Sequence, residues 1–102
     1  VSDGLAIPSQ DGTISVTPAA LSALVVRAAE SVDGVRVRRP KRGVEVAIEG
    51  ESARVELELA ARYGTVLPDA AHEAQHRVSD ALAQMCGLAT SAVDVNFEEL
   101  EP

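Results

Sequence analysis

This sequence predicts an α+β fold: a two-layer sandwich with two helices on one face of a small mixed sheet. Three observations lead there. Apolar residues recur at spacings of three and four over residues 18–32 and 68–86, as amphipathic helices require. They alternate with polar residues over 44–49, 54–59 and 93–97, the period of half-buried strands. The polar positions of those strands are mostly charged, so one sheet face meets water and the other receives the helices. The order is (β)αββαβ, with a short strand ahead of the first helix.

The elements follow in turn. Residues 1–11 carry Gly, Ser, Asp and Pro8 and read as a flexible N-terminal arm. Thr13, Ile14, Ser15 and Val16 alternate as a short edge strand. Thr17-Pro18 starts a helix, with Thr as the N-cap and Pro at the first helical position. Its buried stripe is Leu21, Leu24, Val25, Ala28, Ala29 and Val32, and Gly34 ends it as a left-handed cap. Val35 and Val37 then alternate with Arg36 and Arg38, and residues 40–43 turn. Val44, Val46 and Ile48 face inward, as do Val55, Leu57 and Leu59, with Gly50-Glu51 a tight hairpin turn between them. That turn sets Val46 opposite Val55 and Val44 opposite Leu57. Pro68 and Asp69 open a second helix, which Gly87 stops. Its stripe is Ala71, Ala74, Val78, Leu82 and Met85, with Gln75 and Ala81 at the borders. Val93, Val95 and Phe97 make a last strand, and residues 99–102 form an acidic tail that frays. One domain over residues 12–98 is expected from a chain of 102 residues.

Composition narrows the chemistry. The net charge is −7, which argues against non-specific affinity for nucleic acid or anionic lipid. One Phe, one Tyr and no Trp leave little for base stacking. Five of the nine basic residues nevertheless cluster as Arg36, Arg38, Arg39, Lys41 and Arg42. The single Cys86 cannot form an internal disulfide and suits a reducing compartment. It sits at a helix C-terminus, where the dipole disfavours a thiolate. No apolar run reaches the length of a membrane span, and no signal peptide is visible.

His72-Glu73-Ala74-Gln75-His76 formally matches HExxH, in which two histidines one turn apart bind zinc and the Glu activates water. At roughly 100° per residue, both histidines point about a third of a turn from the apolar stripe. Glu73 falls on the solvent side with Arg77, Asp80 and Gln84, and the chain has no third His. The motif therefore reads as surface histidines, and no metal, cofactor or catalytic residue is expected. No phosphate loop or Ser/His/Asp arrangement accompanies it. An RNA-binding reading rests on the KH-like helix-strand-strand-helix order and on the basic turn at residues 36–42. The absent GxxG loop, the missing aromatics and the net charge oppose it. A non-catalytic interaction module is preferred. Its candidate surface joins Arg36, Arg38, Arg39, Lys41 and Arg42 to the outward strand residues Glu45, Glu56, Glu58 and Asp94.

The landmarks occur in a particular order. They are Gly12-Thr13-Ile14-Ser15-Val16, Gly34-Val35, Gly43-Val44, the alternation from 55 to 59, Tyr63-Gly64 and Pro68. Ala71, Gln75 and Val78, then Gly87-Leu88 and Val93-Asp94-Val95-Asn96, complete the set. Over about residues 12–97 this set resembles the alkaline shock protein family of bacterial envelope stress response proteins. Leu59-Ala60-Ala61 departs from it where a bulkier β-branched run is expected, and the chain turns acidic after Phe97. The resemblance implies no catalysis and no small-molecule substrate. It implies a cytoplasmic protein that self-associates or binds a membrane-anchored partner, meeting the membrane only indirectly, in envelope homeostasis. It supplies no catalytic residues.

Overall fold

The computed structural model describes residues 4–38 and 43–102. Eight elements run in order: β1 (Leu5–Ser9), β2 (Gly12–Val16), α1 (Pro18–Glu30), β3 (Val35–Val37), β4 (Val44–Glu49), β5 (Ser52–Arg62), α2 (Leu67–Cys86) and β6 (Ala89–Glu101). The fold is α+β, with both helices on one face of the main sheet. Two features were not expected from the sequence. The stretch read as a flexible arm forms β1, an antiparallel partner of β2 in a separate two-stranded sheet. The acidic end is not frayed but completes β6.

Strand β5 is the spine of the main sheet. β6 runs parallel along one edge over its whole length, and β3 and β4 follow each other antiparallel along the other. Alternation and a two-residue turn fix the β4–β5 register as expected, with Val46 opposite Val55 and Val44 opposite Leu57. Gly50 in that turn has φ +62°, a conformation L side chains rarely adopt. Arg38 N donates to Glu58 O at 2.9 Å, and Glu58 N donates to Gly43 O at 2.8 Å. The chain thus leaves β5 at Arg38 and rejoins it at Gly43, on the same residue of β5.

Thr17 caps α1 as expected, accepting from Ala20 N at 3.2 Å. The helix ends at Glu30 with Ser31 as a right-handed cap, so Gly34 is not its cap. Gly34, at φ +80°, instead turns the chain into β3 after Val32 has been buried in the core. Both helices bury ridges of strict i+4 spacing: Leu21, Val25 and Ala29 on α1, and Ala70, Ala74, Val78 and Leu82 on α2. Successive steps of four drift around the helix. The ridge of α2 therefore begins at Ala70 rather than Ala71. It continues towards Cys86, which packs partly on the core, while Met85 is 72% exposed. Against these ridges the sheet contributes Val37, Val44, Val46, Val55, Leu57 and Leu59, all buried. Full burial of each such side chain stabilises by about 1.5–3 kcal/mol.

Candidate interaction surface

α1 packs on β3 and β4, and α2 on β6 and on α1, which covers one side of the sheet. The other side stays open and carries the charged strand positions. Glu45 faces Glu56, and Glu56 faces Asp94, so three acids of the candidate surface stand in one row across β4, β5 and β6. Like charges set opposite one another destabilise a sheet. Arg54, one row away, reaches diagonally to Asp94 at 3.2 Å. Glu58, Glu45, Glu56 and Asn96 line a shallow depression of about 250 Å³. Arg39, Lys41 and Arg42 lie outside the described residues.

The other two candidate cations are engaged. The Arg36 guanidinium forks onto the Glu101 carboxylate, and Arg38 Nε lies 3.3 Å from Glu99 Oε2. Both pairs run diagonally over β5, from one edge strand to the other. They run side by side, one on each side of Ala60, the register partner of both Arg36 and Glu99. Ala60 lies on the open face yet is fully buried, because the two ion pairs roof it over. This gives Ala60 a physical reason: a β-branched side chain there would stand between the two pairs.

A β-bulge aims the acids. Leu59 pairs with Phe97 and Ala60 with Glu99, which leaves Glu98 as an extra residue on β6. Simple alternation from Phe97 would turn Glu99 and Glu101 towards the helices. The extra residue turns them to the arginines instead. The hydrogen bond and charge of Arg36 hold the Glu101 carboxyl below its usual range, and Glu101 raises Arg36 in return. The pair's contribution is therefore present at neutral pH, above the ordinary carboxylate value. It is lost as pH falls through the depressed one.

The edges of the sheet are partly closed by side chains. Glu30 Oε2 accepts from Val37 N at 3.0 Å on β3, and Gln75 Nε2 donates to Val93 O at 2.9 Å on β6. Both bonds occupy strand groups that another chain could otherwise use.

The HExxH residues lie apart from this face. His72 and His76 are exposed on the flank of α2, as the periodicity indicated, and His76 Nε2 lies 3.2 Å from Asp80 Oδ2. Glu73 is bound to Arg77 at 2.9 Å, and Arg77 also donates to Ser31 O at 2.8 Å. Periodicity alone predicts Arg77 on the solvent side. It leans instead on the C-terminal end of α1, where a cation meets the negative end of the dipole. Among the described residues no cluster of three or more His, Cys, Asp or Glu could hold a metal ion. Burial pushes the Cys86 thiol up, away from the thiolate.

The match to a family model, described as having a cell envelope-related function, spans residues 6–102. The chain belongs to the alkaline shock protein family. A curated relative, the uncharacterised protein YloU of Bacillus subtilis, is 35% identical over 54 residues. That match spans 53% of this chain and 45% of YloU, so the chain matches less than half of the relative's length. Among solved structures, a zinc form of the MamM CTD superposes with TM-score 0.52 at 23% identity, covering 82% of this chain and 87% of that one. A copper form gives 0.51 at 23%, covering 79% and 95%. At that identity the likeness is one of fold. No helix among the described residues is long and apolar enough to cross a membrane.

Proposed function

We propose that this alkaline shock protein family member is a non-catalytic interaction module of cell-envelope homeostasis. It acts through protein contacts, either with further copies of itself or with a membrane-bound partner. The observation that carries this reading is the open sheet face: a broad, charged surface left uncovered while both helices pack on the opposite side. A net charge of −7 disfavours direct adhesion to anionic lipid, so a link to the envelope runs through another protein. The docking residues are the basic segment Arg36, Arg38, Arg39, Lys41 and Arg42, and the acidic row Glu45, Glu56, Glu58 and Asp94. Opposed charges of this kind steer docking and fix its register. The HExxH stretch takes no catalytic part: Arg77 holds the Glu73 carboxylate, and the open depression that Glu73 lines includes neither His72 nor His76.

Charge reversal at Arg38, Arg39 and Arg42 together tests the basic segment. The triple variant is expected to keep its circular dichroism spectrum but lose its association state, measured by analytical ultracentrifugation, or its partner in a pull-down from the native host. A folded triple variant that keeps both would remove the segment from the interface.

A further inference from the structure

The ion pairs over Ala60 occupy part of the basic segment from within the chain. Arg36 on β3 and Arg38, one residue past its end and still bonded to β5 through Glu58 O, stand two residues apart and take Glu101 and Glu99, two residues apart on β6. Alternate strand residues share a face and lie about 7 Å apart, so the two spacings match. Arg62 adds a third cation at this end, directly opposite Glu101 in the register, and lines the same groove as Arg36 and Glu101. The acids reach this position only because Glu98 is bulged out.

We propose that the Glu99–Glu101 end of β6 is an internal stand-in for the true ligand of Arg36 and Arg38, an extended acidic segment of a partner protein with acids at alternate positions. The end of β6 then acts as an autoinhibitory contact. The partner segment competes with it for the two arginines, and the exposure of both pairs makes the contact easy to exchange. Side-chain exposures of 51% and 38% for Arg36 and Glu101, and 26% and 49% for Arg38 and Glu99, put both pairs within reach of water. Exposed pairs hold weakly and are screened by salt. Glu99 and Glu101 lie in the strand that pairs with β5, so their backbone stays anchored when their side chains let go.

This rests on the reading of the basic segment as a docking surface and adds the chemistry of what docks there. The test measures binding of a fluorescein-labelled peptide of alternating Glu and Leu by anisotropy at low salt. The double variant Glu99→Gln, Glu101→Gln is expected to bind it several-fold more tightly than the unchanged chain, and added salt should abolish the gain. Adding Arg36→Gln and Arg38→Gln to that variant should remove binding. Equal affinity of the double variant and the unchanged chain would overturn the autoinhibitory contact while leaving the docking surface standing. Retained binding after the arginines are lost would overturn the site itself. An equal gain for a labelled oligouridine would overturn the assignment to an acidic polypeptide. Amide exchange at Leu100 and Glu101 reports whether the double variant keeps β6 paired, and Glu101→Asp should restore inhibition if the carboxylate is what matters.

Discussion

Val78→Asp is expected to unfold the domain, whereas His76→Ala is expected to leave its melting temperature nearly unchanged. Val78 is fully buried in the middle of the α2 ridge, between Ala74 and Leu82 and in the same cluster as Leu57 and Leu59. A carboxylate there would have no partner, and burying one costs several kcal/mol. A domain of this size holds only about 5–15 kcal/mol in total. His76, two residues earlier and about 200° round the helix, is largely in water and pairs with Asp80 across one helical turn. An exposed change of that kind stays within about 0.5 kcal/mol. Urea denaturation followed by circular dichroism separates the two. Equal losses would mean that the helix is rotated from the orientation described, and with it the position of the HExxH residues.

Gly43→Ala is expected to have a comparably large effect from a single methyl group. A Cβ built on Gly43 would lie 1.9 Å from the carbonyl oxygen of Arg38 and 3.3 Å from that of Glu58. Backbone cannot yield as a side-chain tip can. Either the Glu58–Gly43 bond or the Arg38–Glu58 bond must open, leaving strand groups near the core unpaired at about 1–3 kcal/mol each. A loss of at least about 2 kcal/mol is expected, with faster amide exchange at Arg38 and Glu58. A variant with unchanged urea midpoint and unchanged exchange would contradict the close approach of Arg38 and Gly43 on β5.

The sequence was most legible where structure is local. The β4–β5 register follows from period-two alternation and a turn of two residues, and both lie within sixteen consecutive positions. Thr17 and Gly87 marked helix ends because capping chemistry is also local. Reading failed where the deciding partner is distant or the period is broken. The two-residue turn between β1 and β2 is Gln10-Asp11, between the paired Ser9 and Gly12, and Gln-Asp is not a hairpin turn signal, so residues 1–11 read as a loose arm. In α2 the alternatives Ala70 and Ala71, or Met85 and Cys86, differ by one residue. Only the slant of α2 against its neighbours decides between them. In β6 the apolar positions 93, 95 and 97 are followed by Leu100, a step of three that marks the bulge. Read as simple alternation, the same residues became a fraying tail. The pairing of Arg36 with Glu101 spans 65 positions and no local pattern announces it. Of the candidate surface, the strand positions were legible from alternation, while the engagement of Arg36 and Arg38 required the fold.

The spine strand β5 is paired locally on one side and remotely on the other. β4 meets it after a two-residue turn, but β6 meets it in parallel only after the chain has passed through the whole of α2. Closing the longer loop costs more chain entropy before any contact rewards it. The β4–β5 hairpin is therefore expected to be formed at the folding transition state, and β6 to join late and leave first. Stopped-flow chevrons check the order: Val46→Ala should slow folding, while Val95→Ala should mainly speed unfolding. When β6 leaves, the chain shows its spine strand β5 with one edge bare, a row of backbone donors and acceptors open to any extended chain. The lifetime of that opened form sets how much of the chain is lost to aggregation.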